Sequence, residues 1–173
     1  MIDFKQMIHC EGEEIARLHS EVHETYKNRS KDLSGWKRAC EKFHSYVSPM
    51  DKYIDSAYEE ERYSDFELLE FAICFLEVDP LFFRSGYVKE ELLRKLKRTE
   101  LNVGQIKRLN AVLEDAVDSR GSREFRAYCR LAAMIANEKL ISSVGATAKY
   151  GKDSRKSRAN LMLRYIDQNA QST

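Results

Sequence analysis

A chain of 173 residues that is 43% apolar, 33% charged and +1 overall has the make-up of a folded domain able to bury a core, which excludes extended disorder. Its 7 Gly and 2 Pro are too few for the many turns of a sheet-rich fold and point to helices joined by short links. No apolar run nears the roughly 20 residues needed to span a bilayer, and Met1-Ile2-Asp3-Phe4-Lys5 lacks the basic and apolar regions of a secretory leader, so a soluble, cytoplasmic protein is expected.

Residues 11–29 place Ile15, Leu18, Val22 and Tyr26 on one helical face. A second helix begins near Ser34 and carries Trp36, Ala39, Cys40, Phe43 and Val47. Ser48-Pro49 reads as the cap and first position of a third helix, with Met50, Tyr53, Ile54 and Ala57 inward. Ser64-Asp65-Phe66-Glu67 has the form of a capping box, with Ser64 as the cap. The helix after it, Leu68 to Val78, is apolar almost all round, the mark of a buried central element. Asp79-Pro80 ends it, because proline disfavours a helical residue before it and donates no N–H.

An aromatic connector follows, Leu81-Phe82-Phe83-Arg84-Ser85-Gly86-Tyr87, in which Ser85 is expected to cap the next helix. That helix turns Val88, Leu92, Leu93 and Leu96 inward. Asn102 to Gln105 can cap another, which buries Val103, Ile106, Leu109, Leu113 and Ala116 and stops at Gly121. Phe125, Tyr128, Cys129, Ala132 and Ile135 mark the next, and a weaker helix spans 138–147. Residues 149–158 are polar and basic and precede a last helix with Ala159, Met162, Leu163 and Ile166, and Gly145 to Ser154 reads as a flexible basic loop. The expected fold is all-α and single-domain over 1–173, an irregular bundle or short solenoid-like stack of about eight or nine antiparallel helices.

The near-neutral total hides a division. Residues 1–79 hold ten Lys or Arg against eighteen Asp or Glu, a net of −8; residues 80–173 hold nineteen against ten, a net of +9. The densest acidic run is Glu59-Glu60-Glu61. In the basic part Arg123, Arg126 and Arg130 recur at i, i+3 and i+7, one helical face. Lys149, Lys152, Arg155, Lys156 and Arg158 cluster further on. The two parts either neutralise each other or face charged partners.

Motifs for chemistry are sparse. Cys10, Cys40, Cys74 and Cys129 are far apart and form no metal-binding pair, so reduced thiols are expected. His19 and His23 stand four apart on a helix, but the order His-Ser-Glu-Val-His differs from H-E-x-x-H and no third ligand is fixed. Gly145 to Ser154 has five residues between its glycines, and Asp153 stands where a phosphate loop places Ser or Thr. No metal, cofactor or catalytic residue is assigned. Arg38 and His44 have R-x5-H spacing, which resembles the helical ribonucleases of the HEPN class. That resemblance implies an Arg and a His acting on RNA from one helix, usually across a dimer; the polar residue that often follows the Arg is here Ala39.

A protein-binding module without catalytic activity, in a bacterial cytosol, is the favoured expectation. Its contacts would be Glu59, Glu60 and Glu61 with the connector residues Phe82, Phe83, Arg84 and Tyr87, since aromatics beside arginine suit interface hot spots. The concrete version is an immunity- or antitoxin-type protein whose acidic part blocks the basic groove of a nuclease toxin. The competing expectation is RNA binding through Arg123, Arg126, Arg130, Lys152, Arg155, Lys156 and Arg158. A HEPN-like ribonuclease is the third.

Overall fold

The computed structural model describes residues 2–119 and 123–171. Among these residues the chain forms nine α-helices and no strand. They are α1 (Phe4–Lys27), α2 (Leu33–Ser45), α3 (Asp51–Glu59), α4 (Phe66–Val78), α5 (Ser85–Leu96), α6 (Val103–Asp118), α7 (Phe125–Ile135), α8 (Glu138–Tyr150) and α9 (Asp153–Ala170). Among the described residues no helix is long and apolar enough to cross a membrane.

The helix that is apolar all round sits at the centre, as its composition requires. Leu68, Leu69 and every residue from Phe71 to Leu76 are buried, and α4 packs against α1, α3, α5 and α6. Phe4, Tyr53 and Phe71 meet there, with Phe4 edge-on to Tyr53 at 5.0 Å and Tyr53 stacked on Phe71 at 5.0 Å. Each such buried aromatic contributes about 2–3 kcal/mol by transfer from water. The α6 helix is a second axis, touching α4, α7, α8 and α9. Asn110 ties this region together: its amide donates to the Ile106 and Ile135 carbonyls, and its oxygen accepts from Asn137 N–H.

Buried cations finish two helices. Lys95 donates to the Ala57 and Tyr58 carbonyls, at 2.5 and 2.7 Å, at the C-terminal end of α3. Arg158 is buried and its Nε donates to the Val117 carbonyl at 2.8 Å, at the end of α6. Neither helix has a basic residue in its own last turn. Free carbonyls and the negative helix end favour a cation there, so distant lysine and arginine do the capping.

Several boundaries differ from the sequence pattern. The first helix starts at Phe4, not residue 11, because Asp3 accepts from Gln6 N–H and caps it. Gly12 lies inside it, close against the connector: a Cβ there would come 3.2 Å from Pro80 Cβ. Asp65, not Ser64, caps α4 through Leu68 N–H, while Glu67 accepts instead from the Tyr53 hydroxyl at 2.8 Å. Ser48 and Pro49 form a turn ahead of α3, held by Ser48 N–H to Asp51. The basic stretch 149–158 is helical except at Gly151 and Lys152, since Arg158 anchors the start of α9 to α6. Val103 is 85% exposed at the first position of α6, whereas the capping box at Asn102 and Gln105 forms as expected. Gly121 lies outside the described residues.

The second helix stands apart. Among the helices it packs only against α1, and Ala39 is its one buried residue. Beyond Leu18, α1 buries nothing fully, so this end of the α1–α2 pair extends away from the core.

Candidate functional site

The connector between α4 and α5 turns sharply through two left-handed residues, Asp79 at φ 48° and Arg84 at φ 73°. Non-glycine residues hold that conformation at a cost of about 1–2 kcal/mol, so the packing around the connector must enforce it. Phe82 points inward, edge-on to Phe75 at 6.1 Å. Phe83 points out, 52% exposed, stacked on His19 at 5.0 Å and edge-on to Phe43 at 6.0 Å. Ser85 is buried and accepts from Phe82 N–H at 3.3 Å, so it closes the connector rather than capping α5.

Arg84 and Tyr87 lie on the outer side. Tyr87 is 51% exposed, and the Arg123 guanidinium sits 4.0 Å above its ring while reaching Glu90 at 3.4 Å. Tyr58, exposed at the end of α3, joins this surface. Burial, and after it the Glu91 charge, raises its hydroxyl pKa, with the Arg84 charge opposing them. Arg123 and Tyr87 form a cation–aromatic pair, and Tyr58 and Arg84, exposed on the neighbouring end of α3 and on the connector, stand with them as one candidate strip. Glu59, Glu60 and Glu61 continue from Tyr58; all three are exposed and make no ion pair among the described residues.

The basic candidates separate into three groups. Arg123 is committed to Tyr87 and Glu90. Arg126 and Arg130 are exposed on α7 with no ion pair among the described residues, and Arg130 shares a shallow depression with Lys97 and Tyr165. Arg155 pairs with Asp118 and Arg158 is buried on α6, whereas Lys152 and Lys156 are exposed.

Ion pairs between the two charged parts are few. Among the described residues, Lys89 pairs with Asp79, and Arg108 holds Glu77 through Nε at 2.8 Å and Glu70 at 2.7 Å. The other pairs join residues of the same part, such as Lys5 with Glu77 and Arg94 with Glu91. The acidic run and the α7 arginines do not neutralise each other by direct contact.

The remaining candidates do not assemble. Arg38 and His44 are exposed on α2, and a six-residue separation sets them about 120° apart around the helix. Arg38 contacts Ser34 at 3.3 Å, and His44 lies against Phe43. The His19 ring faces Phe83, and His23 is exposed one turn away. Among the described residues no group of three or more His, Cys, Asp or Glu side chains has the arrangement to hold a metal ion. All four cysteines are free. Burial raises the thiol pKa of Cys74 to about 11 and of Cys129 to about 12, so neither is a thiolate at neutral pH.

Sequence patterns missed the buried lysines, although Lys89 falls in the middle of the Val88, Leu92, Leu93, Leu96 stripe and could have been found there. They also missed a small cavity beside the strip, walled by Glu124 and Tyr128, because its residues come from three separate helices and their flanks. Comparison with protein-family models, curated proteins and solved structures finds no match to this chain.

Proposed function

We propose that this chain is a protein-binding module that recognises a basic partner through the aromatic and arginine strip and the acidic run beside it. The observation that carries this is the exposed set Tyr58, Phe83, Arg84 and Tyr87 next to unpaired Glu59, Glu60 and Glu61. Tyrosine and arginine are enriched in binding hot spots, and tyrosine loses little freedom when a partner covers it. Carboxylates at the rim steer a basic partner and raise its on-rate. The rigid α4 core beneath the connector holds the strip in place before binding, which lowers the cost of association. The most specific form of this reading is an inhibitor of a nuclease, in which the acidic run fills the groove that normally holds nucleic-acid phosphates.

The test is affinity purification from the chain's own cells, repeated with Tyr87→Ala, Arg84→Glu and a triple reversal of Glu59, Glu60 and Glu61 to Lys. A partner of basic character retained by the parent and lost by these variants is the expected result. Retention of the same proteins by all of them would reject the strip as the interface.

A second reading rests on the exposed Arg126 and Arg130 with the half-exposed Lys97, cations that suit nucleic-acid phosphates. It predicts RNA binding that weakens steeply with salt and falls in an Arg126→Ala, Arg130→Ala double variant.

A further inference from the structure

The central helix is open to solvent at its start. Phe66, the first residue of α4, is 70% exposed. It stands on a groove of about 920 Å³ between α4 and the start of α1, with the buried Phe4 and Cys74 among its lining. Phe66 also walls a second hollow of about 400 Å³, shared with Leu69 of α4 and Gln105 of α6. Val103, at the first position of α6 two residues before Gln105, is 85% exposed. Exposed apolar side chains at two neighbouring helix starts, beside a groove with an apolar floor, mark a contact surface. From Phe66 to Cys74 the helix rises about 12 Å, which matches the reach of apolar anchors spaced over two turns of an incoming helix.

Charge selects the occupant. From Glu59 to Glu70 the chain carries six carboxylates, Glu59, Glu60, Glu61, Asp65, Glu67 and Glu70, against one cation, Arg62. Among the described residues Glu70 alone of the six is in an ion pair, with Arg108 at 2.7 Å. Glu67 lines the groove and accepts from the Tyr53 hydroxyl, with Lys52 over the Tyr53 ring at 4.6 Å. Lys5, on the α1 side of the groove, is engaged with Glu77 at 3.0 Å. The acidic surplus is large enough to survive one or two further cations. It also lies close to the groove: five residues separate Glu61 from Phe66, so at most about 18 Å does.

A second copy seated here about a two-fold axis would bring this acidic segment against itself, and an anionic lipid surface would meet the same repulsion. A cationic segment would be attracted.

We propose that the groove takes the apolar face of a basic amphipathic helix supplied by a protein partner. Phe66 and the groove hold its apolar anchors, and the carboxylates from Glu59 to Glu67 meet its lysines and arginines. The proposal rests on the protein-binding reading and adds an apolar contact that lies beyond the acidic run in the chain, where the strip lies before it.

The test is fluorescence anisotropy of the whole chain with a labelled helical peptide of about 14 residues, Leu at every third or fourth position and Lys elsewhere. Two controls keep its length: the same residues in scrambled order, and Glu in place of Lys. The Leu/Lys peptide should bind saturably, and both controls at least about tenfold more weakly. Phe66→Ser should weaken the Leu/Lys peptide by a similar factor, with a urea midpoint equal to the parent's because Phe66 is exposed. Ring signals of Phe4 and Phe66 in the parent should shift on adding this peptide, a readout that needs no variant. Tyr87→Ala should bind the peptide as the parent does while losing the captured partner, which separates failure of the groove from failure of the strip. Equal binding by parent and Phe66→Ser, by ordered and scrambled peptides, or by the Lys and Glu versions would overturn the proposal. So would a parent dimer in sedimentation equilibrium that dissociates on Phe66→Ser, since that would give the groove to a second copy.

Discussion

The Arg123 guanidinium lies 4.0 Å above the Tyr87 ring and joins the start of α7 to the first turn of α5. This contact gives the strip its shape, because it holds an aromatic face flat against the surface with a charge beside it. An exposed cation over a tyrosine is worth about 0.5–1 kcal/mol. Arg123→Ala should therefore change stability little, by under about 1 kcal/mol, while freeing the Tyr87 ring. Chemical denaturation together with Tyr87 ring signals checks this; a large loss of stability would mean that Arg123 is a structural residue only.

The capping of α3 by Lys95 predicts a strong effect from a single buried side chain. Lys95→Met keeps the stem and removes the donors to Ala57 and Tyr58. Leaving those carbonyls unsatisfied should cost about 2–3 kcal/mol. Lys97→Met, half-exposed two residues further along the chain, is the control and should cost under about 0.5 kcal/mol. Urea midpoints of the two variants give the comparison, and equal midpoints would contradict the capping role.

Arg108 predicts the acid limb of stability. Its hydrogen bond lowers the Glu70 pKa below the ordinary 4.5, and with Lys5 it outweighs the burial that would raise Glu77. Carboxylates with lowered folded-state pKa values stabilise above their unfolded value, and that stability is lost as pH falls through the folded value. Stability should thus decline as pH drops below 4.5. Arg108→Met should cost about 2 kcal/mol at pH 7 and flatten that decline. Unfolding curves from pH 7 to the acid range would show it, and a parallel decline in parent and variant would refute it.

The position of α2 predicts uneven dynamics. A helix that packs on one neighbour and buries little opens without unfolding the core. Amide hydrogens of α2 should exchange far faster than those of α4, where eight side chains are buried. Equal protection in hydrogen-exchange measurements would show the chain opening as one unit.

The fold was largely legible because periodicity, capping residues and Asp79-Pro80 all spoke of the same helices. The inner stripes of α3, α4 and α5 follow the pattern residue by residue, from Met50 and Tyr53 to Leu93 and Leu96. Errors arose where local chemistry had two solutions. Ser64 and Asp65 can both cap a helix, and only tertiary contact with Tyr53 draws Glu67 away from a capping box. Lys89, Lys95 and Arg158 read as surface charge, yet each is buried because its partner lies elsewhere in the chain. The proposed strip was half legible. Connector composition marked Phe83, Arg84 and Tyr87, but not that Phe82 turns inward or that Tyr58 and Arg123 complete the strip.

One measurement tests the binding role most directly: partner capture from the chain's own cells by the parent and by Tyr87→Ala, with folding of both verified by their urea midpoints. A basic protein held by the parent and lost from an equally stable Tyr87→Ala chain is the predicted result. Capture of the same proteins in equal amount by both chains, or of no protein by the parent, would contradict it.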